Sequence, residues 1–110
     1  MPANTAKTRK AKGVRLESEI VTLIKEQFGD NYIAKRMPKS GQLKDFKADI
    51  YTDLPISIEA KNQETWKPLE WWKQCTRDAK DKIPVLVMSK NRLKSPLALI
   101  EFKDLLKLMK

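Results

Sequence analysis

The spacing of apolar residues changes along the chain, and each change marks an element. Over residues 14–28, Leu16, Ile20, Leu23, Ile24 and Phe28 recur as one face of a helix, and Gly29 is a suitable C-terminal stop. With Leu16 at zero and ~100° per residue, the apolar arc runs from about −20° at Leu23 to about 120° at Phe28. Glu19 and Glu26 fall outside this arc, whereas Glu17, at about 100°, falls inside it. A buried carboxylate is costly without a partner. Glu17 is therefore expected either to meet a cation, a metal-bound water or a backbone donor, or to lie at the edge of a slightly rotated helix.

The period then shortens to two. Residues 32–36 read as a short strand and residues 37–44 as a polar loop containing Pro38, Lys39, Ser40, Gly41 and Lys44. Residues 47–52 alternate, with Ala48 and Ile50 opposite Asp49 and Tyr51, and Asp53, Leu54 and Pro55 make a turn. Residues 56–61 alternate again: Ile56, Ile58 and Ala60 share one face, and Ser57, Glu59 and Lys61 the other. If the two strands pair as a hairpin, Asp49 joins Glu59 and Lys61 on one exposed patch.

Residues 68–81 return to helical spacing through Leu69, Trp72, Cys75 and Ala79, with Pro68 in the first turn. Trp72 is the expected core tryptophan; Trp66 and Trp71, partly exposed beside Lys67 and Lys73, are placed to stack on bases or to form a dimer contact. Residues 83–89 form a run too short and apolar for anything but a strand covered on both faces. Residues 97–102 supply a partner strand and residues 103–109 a closing helix. This is an α/β order with a mixed sheet.

Residues 1–13 carry Lys7, Arg9, Lys10 and Lys12 with no acid and no apolar period, and read as a flexible basic arm preceding a single domain over residues 14–110. The arm either grips phosphates or is a terminus with no specific role.

Charge narrows the function. The 23 Lys and Arg exceed the 14 Asp and Glu by nine, a field that attracts a polyanion, DNA first among them, although charge also serves solubility. With no histidine in the chain, Ser-His triads, HNH-type nuclease sites and H-E-x-x-H metal sites are excluded. Lys39 and Ser40 lack the glycines of a phosphate loop, so no nucleotide cofactor is expected. The lone Cys75 rules out an internal disulfide and fits a reducing compartment. No apolar run reaches the ~18 residues of a membrane span and no secretory core is present, so a cytoplasmic location is expected. The chemistry available rests on carboxylates, lysine, hydroxyls and a hard metal ion.

Asp49, then nine intervening residues, then Glu59, Ala60 and Lys61, resembles the PD-(D/E)XK nuclease superfamily. Three other acid-x-Lys triplets begin at Asp45, Asp78 and Glu101, but only the one at Glu59 lies on a strand, follows an acid-bearing partner and precedes a helix. Lys12 and Gly13 followed by Glu17, then Ser40 and Gly41, then Asp49, Glu59 and Lys61, then Gln74, resemble in order the archaeal-type Holliday-junction resolvases and related phage and mobile-element nucleases. The likeness spans residues 12–74; Ala48 stands where a proline often precedes the aspartate, and residues 90–110 have no counterpart.

The resemblance implies a restriction-endonuclease-like α/β core, αβββαβ, with a central mixed sheet flanked by helices. It implies a Mg²⁺-dependent endodeoxyribonuclease, with Mn²⁺ as a substitute, whose catalytic residues are Glu17, Asp49, Glu59 and Lys61. Asp49, Glu59 and the Ala60 carbonyl would hold the metal, with Glu17 acting through water or a second ion and Lys61 either positioning the attacking water or merely pairing with Glu59. Lys10, Lys12, Arg36, Lys39, Ser40, Lys44 and Gln74 are the expected DNA contacts, with Lys35 and Lys47 near them in sequence. A homodimer acting on branched or junction DNA is expected, of phage or mobile-element origin. The alternatives are a nicking or homing-type nuclease of the same superfamily and a non-catalytic basic DNA-binding module.

Overall fold

A computed structural model of the chain describes residues 6–37 and 48–110, with side chains from Lys10 onward in the first stretch. Helix α1 spans Ala6–Phe28. It is followed by a 3₁₀ turn over Gly29–Asn31, strands β1 (Ala34–Arg36), β2 (Ile50–Thr52) and β3 (Ile56–Asn62), helix α2 (Pro68–Ala79), strands β4 (Ile83–Ser89) and β5 (Leu97–Leu99), and helix α3 (Phe102–Leu108). The expected mixed sheet flanked by helices is present. In it β3 and β4 run parallel through the α2 crossover and β4 and β5 antiparallel, while β1 and β2 form a separate antiparallel pair.

Each face of β3 meets one helix. Ile58 packs with Ile50 against Leu16 and Ile20 of α1, and Ile56, Ala60 and Val87 flank this cluster. On the other face, α2 lays Trp71 and Cys75 onto Leu86 and Met88 of β4. Strand β4 is thus covered on both sides, as its unbroken apolar run requires. Pro84 is tolerated because it sits before the Leu86–Met88 stretch where β5 pairs, so only one neighbouring strand adjoins it. Among the described residues no helix is long and apolar enough to cross a membrane.

Three expectations are corrected. Helix α1 begins at Ala6, so residues 6–13 continue the helix instead of forming a flexible arm. Alanine, lysine and arginine favour helix there, and a tertiary anchor holds this stretch: the Lys12 carbonyl accepts from Asn62 Nδ2 at 2.9 Å and Lys12 Nζ donates to Glu64 at 3.0 Å. Second, β2 and β3 do not zip into a hairpin. The Thr52 carbonyl is taken by Lys82 Nζ at 2.6 Å, and Asp53 Oδ1 in the turn accepts from the Ile33 N–H at 2.8 Å, which turns the connection away from tight pairing. Third, the buried row of α2 is Trp71, Cys75 and Ala79, while Leu69 is 75% exposed and Trp72 only partly covered. The aromatic bulk of Trp71 fills the space over Leu86 and Met88, which fixes the rotation of the helix.

Gly29, with φ of 68°, ends α1 in the left-handed region that favours glycine. Gly13 has no such reason: it lies inside α1, and a Cβ built there meets nothing within 4 Å. Gly13→Ala is therefore expected to raise stability by about 0.5–1 kcal/mol, read from the urea midpoint at unchanged slope. A fall in stability would show that the helix is not held as described.

Candidate active site

Asp49 sits just before β2 and is held from three directions. Its N–H donates to the Ile58 carbonyl at 3.0 Å, its carbonyl accepts from Met37 N–H at 2.9 Å, and its Oδ2 accepts from Ala60 N–H at 2.8 Å. Because Ile50 packs into the α1 core, strand alternation turns Asp49 to the opposite side. That side is the one on which β3 displays Ser57, Glu59 and Lys61. The expected meeting of Asp49, Glu59 and Lys61 is therefore realised, through single hydrogen bonds instead of a full hairpin ladder. The patch is not exposed: α2 covers it, and Asp49 and Glu59 are only 6% and 4% accessible.

Burial sets the electrostatics. The Glu59 carboxyl is pushed from 4.5 up to about 8, first by desolvation, then by the charge of Asp49 and a hydrogen bond shared with it, then by Asp78. Lys61 opposes the shift. Glu59 Oε1 is buried without a hydrogen-bond partner, an arrangement that native interiors rarely leave uncompensated. Beneath it the Cys75 thiol is pushed up to about 12 by burial and by the Glu59 charge, although a hydrogen bond with the Glu59 backbone lowers it in part. Such a thiol is packing, not a nucleophile.

The other expected site residues are dispersed. Of the two expectations for Glu17, burial with a compensating cation is the one met: it is buried, and Arg36 Nε donates to its Oε1 at 3.3 Å. Its helix packs on the face of β3 opposite to Glu59. Lys12 is turned into the fold, 5% exposed, with its ammonium on Glu64. Glu64 also accepts from Asn91 N–H at 2.7 Å, and both contacts hold its carboxyl below the usual carboxylate range. Lys10 and Gln74 are exposed. Lys39, Ser40 and Lys44, with Gly41 and Lys47, lie outside the described residues.

Sequence reasoning missed Asp78. Its acid-x-Lys triplet lies on a helix and so does not fit the motif, yet Asp78 stands on α2 one turn beyond Cys75, and its charge reaches both Glu59 and Cys75. The signal was present in the spacing of Gln74, Cys75 and Asp78, but it became legible only once the buried row of α2 was known.

A hard cation suits this donor set. Glu59 Oε1 and the Asp49 carboxylate supply oxygen and negative charge in a buried place. In a strand a residue's N–H and carbonyl point to the same edge, so the Ala60 N–H that meets Asp49 puts the Ala60 carbonyl on that edge too. Among the described residues no three acidic, thiol or imidazole side chains are gathered closely enough to ligate one ion, so any metal here relies on two carboxylates, backbone and water.

No curated protein and no solved structure matches the chain. The family described as "Phage putative PDDEXK endonuclease" matches residues 8–110, which include Asp49, Glu59, Lys61 and the C-terminal stretch that the sequence motifs left unassigned. With that match and the carboxylate pair on one side of the sheet, the chain belongs to this phage PDDEXK endonuclease family.

Proposed function

We propose that the chain is a metal-dependent DNA endonuclease in which Asp49, Glu59 and the Ala60 carbonyl hold Mg²⁺, with Mn²⁺ able to substitute. The observation that carries this reading is Glu59 Oε1, buried and unpartnered beside Asp49. When bound, the cation neutralises charge on the scissile phosphate and eases deprotonation of the attacking water. The protein's own part is positional: the Ala60 N–H fixes the Asp49 carboxylate, and Lys61, close enough to oppose the Glu59 shift, offers an ammonium to orient water or offset charge gathering on phosphate. Lys10 and Gln74 are exposed and available to DNA.

The finer reading is a resolvase-like homodimer that nicks two strands of a branched junction. The exposed Leu97 of β5, Phe102 and Leu106 of α3, and Met109 just after it supply apolar area for a subunit contact, and a two-fold pair of sites matches a two-fold substrate. A nicking or homing-type enzyme shares the chemistry and differs in substrate. The non-catalytic module is favoured by one observation, that among the described residues no three acidic side chains are gathered around one ion site.

Asp49→Asn and Glu59→Gln are expected to lower Mg²⁺-dependent scission by at least about a hundredfold while DNA binding is kept or strengthened. Assays on four-way junction, flap, nicked and linear duplex DNA decide the substrate; no cleavage of any of them with Mg²⁺ or Mn²⁺ would establish the module instead. The raised Glu59 pKa adds a stability test. Between 4.5 and about 8 the folded protein keeps a proton that the unfolded chain has released, so the contribution is complete below 4.5 and is lost as pH rises through about 8. Metal-free protein should have a lower urea midpoint at pH 8 than at pH 5, Mg²⁺ should restore it, and Glu59→Gln should flatten both responses. A metal-free midpoint that rises over this range would contradict the burial of Glu59.

A further inference from the structure

Away from the carboxylates, α1 and β1 enclose an open groove of about 350 Å³ lined by Ser18, Val21, Thr22, Lys25, Ala34, Lys35 and Arg36. Three of these side chains are cationic and none is acidic. Glu17, next to Ser18 on α1, is bonded to Arg36 at 3.3 Å. Lys25 and Lys35 are exposed, and Lys35 is steadied over the Tyr51 ring with its Nζ 5.2 Å from the centroid. Thr22 spends its hydroxyl proton on the Ser18 carbonyl at 3.0 Å, so the Ser18 hydroxyl is the neutral donor left for a ligand.

The form of the groove selects the ligand. Small-molecule sites enclose most of their ligand between apolar walls, whereas this one is open and its amines are spread along it. Spaced cations with a hydroxyl suit a chain of phosphodiesters. Its β1 end is also tied to the acidic pair, because Met37, next after Arg36, donates its N–H to the Asp49 carbonyl at 2.9 Å.

We infer that this groove holds a stretch of the sugar-phosphate backbone of the DNA substrate, with Lys25 and Lys35 on phosphates and Ser18 donating a neutral hydrogen bond. The inference rests on the endonuclease reading for the identity of the polyanion. It joins α1 residues, which no sequence motif singled out, to Lys35 and Arg36 in one track. Arg36 serves mainly to shape the wall, since Glu17 holds it.

The test measures binding without cleavage. Full-length protein and labelled duplex and four-way DNA are titrated by anisotropy in EDTA at several salt concentrations. Lys25→Ala with Lys35→Ala should weaken binding at least about tenfold near 0.1 M salt and reduce the salt slope by about 0.9 for each lost contact, equally across sequences. Lys107→Ala combined with Lys103→Ala on α3 removes the same two charges, is the control for net charge and should bind as wild type does. If the groove variants match this control, or if polyglutamate of similar charge competes as well as DNA, the inference is overturned. Its failure and that of the endonuclease reading are separable. Weakened binding in a protein that never cleaves keeps the groove and discards the enzyme, whereas cleavage with groove variants that bind like the control does the reverse.

Discussion

Asp49 holds the described structure together. The antiparallel pair β1–β2 and the three-stranded sheet have separate ladders, and the backbone of Asp49 bridges them by donating to Ile58 and accepting from Met37. Its side chain then reaches across to Ala60 N–H. One residue therefore closes the sheet and presents the acid, so the position of the carboxylate is tied to the integrity of the fold. A site built this way is rigid because its supports are backbone hydrogen bonds shielded from water.

The second constraint is the cover provided by α2. Without Trp71 and Cys75 lying over Leu86 and Met88, Glu59 would be an ordinary strand residue facing water. With them it becomes a desolvated carboxyl that shares a hydrogen bond with a neighbouring acid. Two like charges so placed cannot both ionise cheaply, so a proton or a cation has to compensate. The same packing that raises Glu59 raises Cys75 and silences its thiol.

Charge in this chain divides between building and binding. Lys12, in the basic stretch that resembles a DNA-contacting segment, is consumed in the fold: with Glu64, Asn62 and Asn91 it ties α1 to the ends of β3 and β4. Arg36 compensates Glu17 in the same manner. The large positive excess is thereby left on exposed positions such as Lys10, Lys25 and Lys35, where it is free to act on a polyanion.

Much of this was legible from the order of residues. The stop at Gly29, the both-sides coverage of β4, the alternation that places Glu59 with Lys61, and the burial of Glu17 all follow from which positions along an element are apolar. What periodicity does not encode is which strand edge meets which, so the parallel β3–β4 pairing and the near-absence of a β2–β3 ladder came only with tertiary structure. Nor does it separate adjacent rows on a helix that carries neighbouring tryptophans. The choice of Trp71 over Trp72, and with it the approach of Asp78 to Glu59, was decided by the shape of the surface that α2 had to cover. Local sequence determines the face of each element through the period of its backbone; partners, and therefore burial and charge, are properties of the assembled layers.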